Sequence, residues 1–260
     1  MTIETVQPPR PRAGFWRRLL AFVLDGFVVL MPFTIIAAIS FGLSGGRIQS
    51  AYGLLYPFCT LRAELPADLT PQPLSDFNFI EDCRLAFPGM DTGRVLRVGN
   101  RQPEQVFGQS ASQTYWLDPQ GRPSDVVLNL GLIAFLAYPI YAILMESRSG
   151  QTLGKRLLRI KVIDPANATR EGVAISKAFW RQAAMFVLSA PAYGAQLFAA
   201  WFLIPTSESF LEVVTNPIHA WVDGLGMVAQ LFFTVVIVVA LARKRDPIYD
   251  RFAGTAVILA

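Results

Sequence analysis

Apolar positions in this chain gather into long runs rather than alternating singly. Residues 19–41 are apolar for 23 positions, with Asp25 the only charge among them. A helix of about 20 residues crosses the ~30 Å hydrocarbon core of a bilayer, so this run predicts a membrane span. Further runs at about 126–145, 183–204 and 224–242 predict three more spans, with Pro191 and Gly194 kinking the third. The first run is expected to stay as an uncleaved span, being longer than a signal-peptide core and carrying a carboxylate. Before it, Pro8, Pro9 and Pro11 predict a disordered tail.

Between the first two runs, residues 42–125 sustain no span. GLSGG (42–46) ends the first helix. Pro57, Pro66, Pro71, Pro73, Pro88, Pro103, Pro119 and Pro123 then leave little room for long helices. The cytoplasmic loop after the second run holds residues 159–164, which alternate at period two. A turn at 165–172 and a short return at 173–175 complete a predicted hairpin, with 255–259 a candidate third strand. The expected fold class is thus all-α integral membrane. It would be a four-transmembrane-helix bundle with an irregular exported insertion between helices 1 and 2 and a small cytoplasmic β-hairpin. In domain terms, 1–18 is a cytoplasmic tail and 19–260 a membrane domain interrupted by the insertion 42–125.

Composition agrees with a bilayer setting: 53% of residues are hydrophobic and only 16% charged, where soluble chains carry about 25%. The net charge of +4 raises the question of nucleic acid, but the placement of the charges answers it. Sixteen of the 23 basic residues fall in 1–18, 146–182 and 243–260, and none falls in 206–223. This is the positive-inside distribution, which puts both termini in the cytoplasm and leaves no nucleic-acid surface. An exported insertion would oxidise its two cysteines, so a Cys59–Cys83 disulfide is expected.

The chemistry-bearing residues are few. One histidine, no CxxC and no phosphate loop give no metal site, no cofactor and no catalytic motif. GLSGG fits the GxSxG pattern, and His219 is predicted on the same side, yet a nucleophile elbow needs a strand before its serine. A helix exit is expected there, and the chain is expected not to be an enzyme. Asp25 is the sharpest signal, since a carboxylate inside a span costs roughly 3 kcal/mol on insertion scales. Arg18, seven residues earlier, shares its helix face at about 10 Å along the axis. Two readings stand: an ion- or proton-linked carboxylate, or a packing pair with Arg18 or with Arg181 at the third span's inner end. Asp250, just past the last span, reads as a salt bridge or cap. Asn129, Tyr138, Gln182, Gln196 and Gln230 either line a polar path or bond neighbouring helices.

FWRRLLAFVLD (15–25), SGQTLGKRLLRIKVID (149–164) and DPIYDRFAGTAVI (246–258) together resemble the RDD family of bacterial membrane proteins, named for one arginine and two aspartates. The Arg-x-x-Ala-x-x-x-Asp spacing falls on Arg18, Ala21 and Asp25, and the second aspartate on Asp250. Tyr249 stands where many relatives carry histidine. The insertion lies outside the resemblance. The likeness implies a multi-pass protein of the bacterial inner membrane, with transport of an ion or small solute proposed. The alternative is a non-catalytic scaffold or assembly protein that binds a protein partner through its exported insertion. The lipid bilayer is the remaining partner, with 153–160 reading as an amphipathic turn on anionic headgroups.

Overall fold

The computed structural model describes residues 11–51, 54–87, 89–101, 110–167 and 169–260. The tail expected at 1–10 lies outside the described residues. Two compact units emerge. One comprises Met1–Val28, Pro139–Leu188 and Leu231–Ala260; the other comprises Val29–Tyr138 and Ser189–Gln230. The first is called here the terminal unit and the second the sheet unit.

Among the described residues, three helices are long and apolar enough to cross a membrane: α1 (Phe15–Leu43), α2 (Leu130–Ser149) and α7 (Pro217–Ala242). All three contribute residues to both units. The expected third span is instead broken. It divides into α4 (Ile175–Ser189), α5 (Pro191–Phe198), a π-helical turn (Ala199–Leu203) and a 3-10 turn (Ile204–Thr206). Pro191 opens α5 at its first position, where its missing N–H costs nothing. Gly226 of α7 meets this point closely, for a Cβ there would stand 2.7 Å from the Pro191 carbonyl oxygen.

The all-α expectation is corrected. The chain is about 52% helix and 22% strand, and a four-stranded antiparallel sheet replaces the irregular insertion. Its strands run in the order β2 (Tyr56–Leu61), β3 (Phe79–Phe87), β4 (Met90–Arg101) and β5 (Ser110–Trp116). The prolines do exclude long helices, but they punctuate a sheet. Pro57 sits on the edge strand β2, where a missing donor is tolerated, and β3 and β4 are proline-free. Gly89, at φ +82°, lies in the connection between β3 and β4. Cys59 and Cys83 face one another in the β2–β3 register and form the disulfide.

One face of the sheet carries the sheet unit's core. Ile80 pairs with Val98 and Leu96 with Tyr115, and these join Leu69, Ala111 and Leu117. Phe210, Val213 and Val214 of α6 (Phe210–Thr215) complete the cluster, each fully buried. Beyond the core on the same face, Asp82 and Arg94 form a two-pronged pair at 2.9 and 2.7 Å. Two short strands, β1 (Ile48–Gln49) and β6 (Leu128–Asn129), pair in parallel in the same unit.

The terminal unit also contains a sheet, and it is not the expected hairpin. β7 (Ile160–Ile163) pairs antiparallel with β8 (Ala256–Leu259), so the C-terminal strand is its partner rather than its neighbour. Ile175 begins α4, and Val173 and Ala174 before it lie in no strand, so residues 173–175 make no return strand. The N-terminal segment joins the same ribbon: Ala13 N donates to Val257 O at 3.0 Å and Leu259 N to Pro11 O at 3.0 Å. Ile160, Val162, Val173, Ala178 and Val257 pack with Ala13 and Ala21 beneath it.

Candidate functional site

Asp25 lies on α1 in the terminal unit and is 1% exposed. Its carboxylate accepts three hydrogen bonds: from the Thr152 hydroxyl, from Gly154 N at 2.8 Å and from the Tyr141 hydroxyl at 3.2 Å. All three donors are neutral. Among the described residues no Lys or Arg nitrogen comes within ion-pair distance of it, so the pairing expected with Arg18 or Arg181 is absent.

The middle sequence block makes this cradle. α2 ends at Ser149, and Gly150 at φ +72° turns the chain back. Thr152 caps α3 (Leu153–Leu157), accepting from Lys155 N at 3.4 Å while donating to Asp25. Leu153 N donates to Tyr141 Oη at 2.8 Å, which leaves the phenolic proton for Asp25. Gly154 lies against α1 so closely that a Cβ would stand 2.4 Å from the Ala21 carbonyl oxygen and 3.0 Å from the Asp25 carboxylate. Only glycine fits there. The run Gly150, Thr152, Gly154 is therefore a device for docking a helix start onto a buried acid.

Beside the cradle runs a chain of alternating charges. Lys155 donates to Glu146, and Arg181 reaches the same oxygen at 2.6 Å. Arg181 Nε also bonds Asp250 Oδ1 at 2.6 Å, and Arg18 Nη1 bonds Asp250 Oδ2 at 2.5 Å. Glu146 and Asp250 are both 0% exposed. The order Lys155–Glu146–Arg181–Asp250–Arg18 thus ties together α3, α2, α4, α8 (Ile248–Phe252) and α1. Arg18 is further fixed by Ala13 O at 3.0 Å and Val257 O at 3.4 Å. Asp246 closes the rim, 3.0 Å from Arg12 and 3.7 Å from Arg18.

These ions hold each other because burying any one alone would cost several kcal/mol. Two groups beyond the spans feel that burial. Burial pushes the Asp246 carboxyl above its ordinary range, and the nearby arginines offset this only in part. Burial likewise raises the Tyr249 hydroxyl. Tyr249 also lies under the Arg181 guanidinium, with 5.7 Å from ring centre to carbon.

Of the sequence-derived site residues, Arg18, Arg181 and Asp250 meet in one cluster, and Asp25 stands in the adjoining cradle. Glu146, Lys155, Thr152, Gly154 and Tyr141 were missed as site residues. The signal for three of them was present, since Thr152, Gly154 and Lys155 all lie in SGQTLGK. Ser44 of GLSGG follows directly on helix α1 and accepts from Ile48 N at 2.9 Å, so a turn role accounts for it. Asn129 accepts from Ala51 N and Gly131 N in the sheet unit. Gln182 is buried on α4, Tyr138 and Gln230 have partners, and the Gln196 side chain lies outside the described residues.

The family model described as the RDD family matches residues 101–254, more than half of the chain. The matched stretch contains the whole middle block and reaches Gly254 just past α8, while residues 15–25 precede it. Neither the curated proteins nor the solved structures gave a match. The matched stretch supplies every partner that Asp25 and Arg18 find outside their own segment except Val257 and the chain's N-terminal residues. This chain is a membrane protein and belongs to the RDD family.

Proposed function

We propose that the protein moves an ion or small solute across the bacterial inner membrane, with Asp25 as the carboxylate that couples to it. The observation that carries this reading is the contrast inside one unit. Glu146 and Asp250 are buried with cationic partners, whereas Asp25 is buried with neutral donors alone. A carboxylate so placed holds no ion pair, among the described residues, that an arriving ion or proton would have to break. Thr152 is the adaptable member, because its hydroxyl turns from donor to acceptor if Asp25 takes up a proton. The fixed ion chain beside it would keep α1, α2, α4 and α8 in register while that happens.

In this reading both termini are cytoplasmic. Segment 11–13 is hydrogen-bonded to β8, which supports a single side for the two ends. The terminal unit holds sixteen basic and seven acidic residues, against seven and twelve in the sheet unit, which supports the cytoplasm as that side. Three uninterrupted helices alone would leave the ends on opposite sides. The broken stretch from Ile175 to Thr206 is what carries the chain back. No step here is catalytic.

A scaffold reading has its own support in the sheet unit, which has a separate core, a disulfide and an edge strand, β2, exposed along its length. There the exported sheet would bind a protein partner. Reconstitution into proteoliposomes with cation and proton gradients tests the first reading. Gradient-driven flux above empty liposomes supports it. No flux with any ion, alongside specific capture of a partner by the full-length protein through β2, would replace it with the second.

A further inference from the structure

We propose that the outward face of α8, with the adjoining turn of α4, binds the phosphate of an anionic phospholipid. α8 is two-sided. Tyr249 and Asp250 point inward and are buried, Asp250 in the ion chain, while Ile248, Arg251 and Phe252 are exposed. Phe252 meets Trp180 of α4 edge-on at 6.1 Å, and Phe179 meets the same indole at 5.4 Å. These rings form an exposed apolar shoulder two helices wide, and the exposed Arg251 immediately precedes Phe252 on α8.

Charge selects the occupant. Among the described residues of the terminal unit, the acids turn inward or are paired. Asp25, Glu146 and Asp250 are buried, Asp246 at the rim is paired with Arg12 at 3.0 Å, and Asp164 is taken by Lys177 at 2.7 Å. Glu171 alone is exposed without an ion-pair partner among them. Arg251 likewise makes no close ion pair among the described residues, and its charge reaches only as far as helping to offset the burial of Asp246. An exposed guanidinium next in sequence to Phe252 of the aromatic shoulder suits a ligand with an anionic head and an acyl chain, which a phospholipid supplies and a free anion does not. Because α8 carries Asp250 on its other face, a lipid held there also braces the ion chain. The inference rests on the geometry of α8 and not on the transport reading.

The test uses the full-length protein in neutral detergent, with phosphatidylglycerol or phosphatidylcholine added at equal mole fraction. Thermal unfolding is followed by circular dichroism. Phosphatidylglycerol should raise the midpoint by several degrees over phosphatidylcholine. Arg251→Gln should lose at least half of that difference, and Arg243→Gln, at the end of α7, should keep it. Inorganic phosphate at millimolar concentration should give no shift. An Arg251→Gln response equal to the unsubstituted protein's, or a full shift with inorganic phosphate, would overturn the proposal. Native mass spectrometry of the unsubstituted protein gives a second readout that needs no variant. Preferential retention of phosphatidylglycerol is expected, and equal retention of both lipids would overturn it.

Discussion

Arg18 and Asp250 lie 232 residues apart in sequence, and their side chains meet at 2.5 Å. This contact fastens the first helix to the last short helix, next to the ribbon that joins both chain ends. Asp250 shares its other oxygen with Arg181, so Arg18 stands within a chain of ions and not in an isolated pair. Replacing Arg18 by Gln leaves Asp250 with one cation in place of two. A loss of about 3–5 kcal/mol is expected, on the scale of breaking a buried pair from one side. Asp250→Asn should cost a similar amount, and the double variant clearly less than the two single losses added together. Unfolding midpoints in detergent measure all three. Additive losses would show that the two side chains are not coupled.

Gly154→Ala places a methyl group 2.4 Å from the Ala21 carbonyl, and α3 must move off α1 to relieve it. The expected result is a destabilised protein in which Lys155 becomes reactive to amine-labelling reagents, because its contact with Glu146 depends on α3. Thr152→Ser, which keeps cap and donor, should behave as the unsubstituted protein. A Gly154→Ala protein with unchanged stability and unchanged Lys155 labelling would contradict the docking geometry.

In the sheet unit, Phe210→Ala should cost about 3–5 kcal/mol, since the ring is fully buried against the sheet and its removal leaves a cavity. Leu61→Ala, on the exposed edge strand, should change stability by less than about 0.5 kcal/mol. Proteolysis of the sheet unit would report both. Equal sensitivity of the two variants would count against the assigned core.

The hydrogen bond from Lys177 holds the Asp164 carboxyl below the usual carboxylate range. A carboxyl depressed in the folded state contributes stability that is present above its unfolded pKa, near 3.9, and is lost as pH falls through the folded value. Acidification below about pH 4 should therefore weaken the terminal unit, and Lys177→Met should flatten that part of the profile. An unchanged acid limb in Lys177→Met would rule the pair out as a contributor.

The long apolar runs were legible because lipid admits so few charges that a 20-residue run stands out without context. Three of them are single helices. The run at 183–204 is apolar too, yet Pro191 restarts the helix, and a hydropathy pattern does not distinguish a continuous helix from two abutting ones. The sheet was hidden for another reason. β4 buries Thr92 and Asn100 alongside Val95, Leu96 and Val98, so its burial does not alternate cleanly with polarity. In the site, Asp25, Arg18, Arg181 and Asp250 were visible as charges in or beside apolar runs. Their partners were not. Pairing depends on which helices meet, and Arg18 finds its acid on α8 while the Asp25 on its own helix face is held by a turn between α2 and β7.

The central claim is that Asp25 couples to what the protein carries and does not merely hold the fold. Asp25→Asn separates the two roles. The asparagine carbonyl oxygen still accepts from Gly154 and Tyr141, and the Thr152 hydroxyl turns to accept from the new amide, so the cradle keeps its hydrogen bonds. Measured side by side in proteoliposomes and in detergent, Asp25→Asn should unfold within a few degrees of the unsubstituted protein and lose its gradient-driven flux by at least tenfold. Flux undiminished in a well-folded Asp25→Asn protein would contradict the claim.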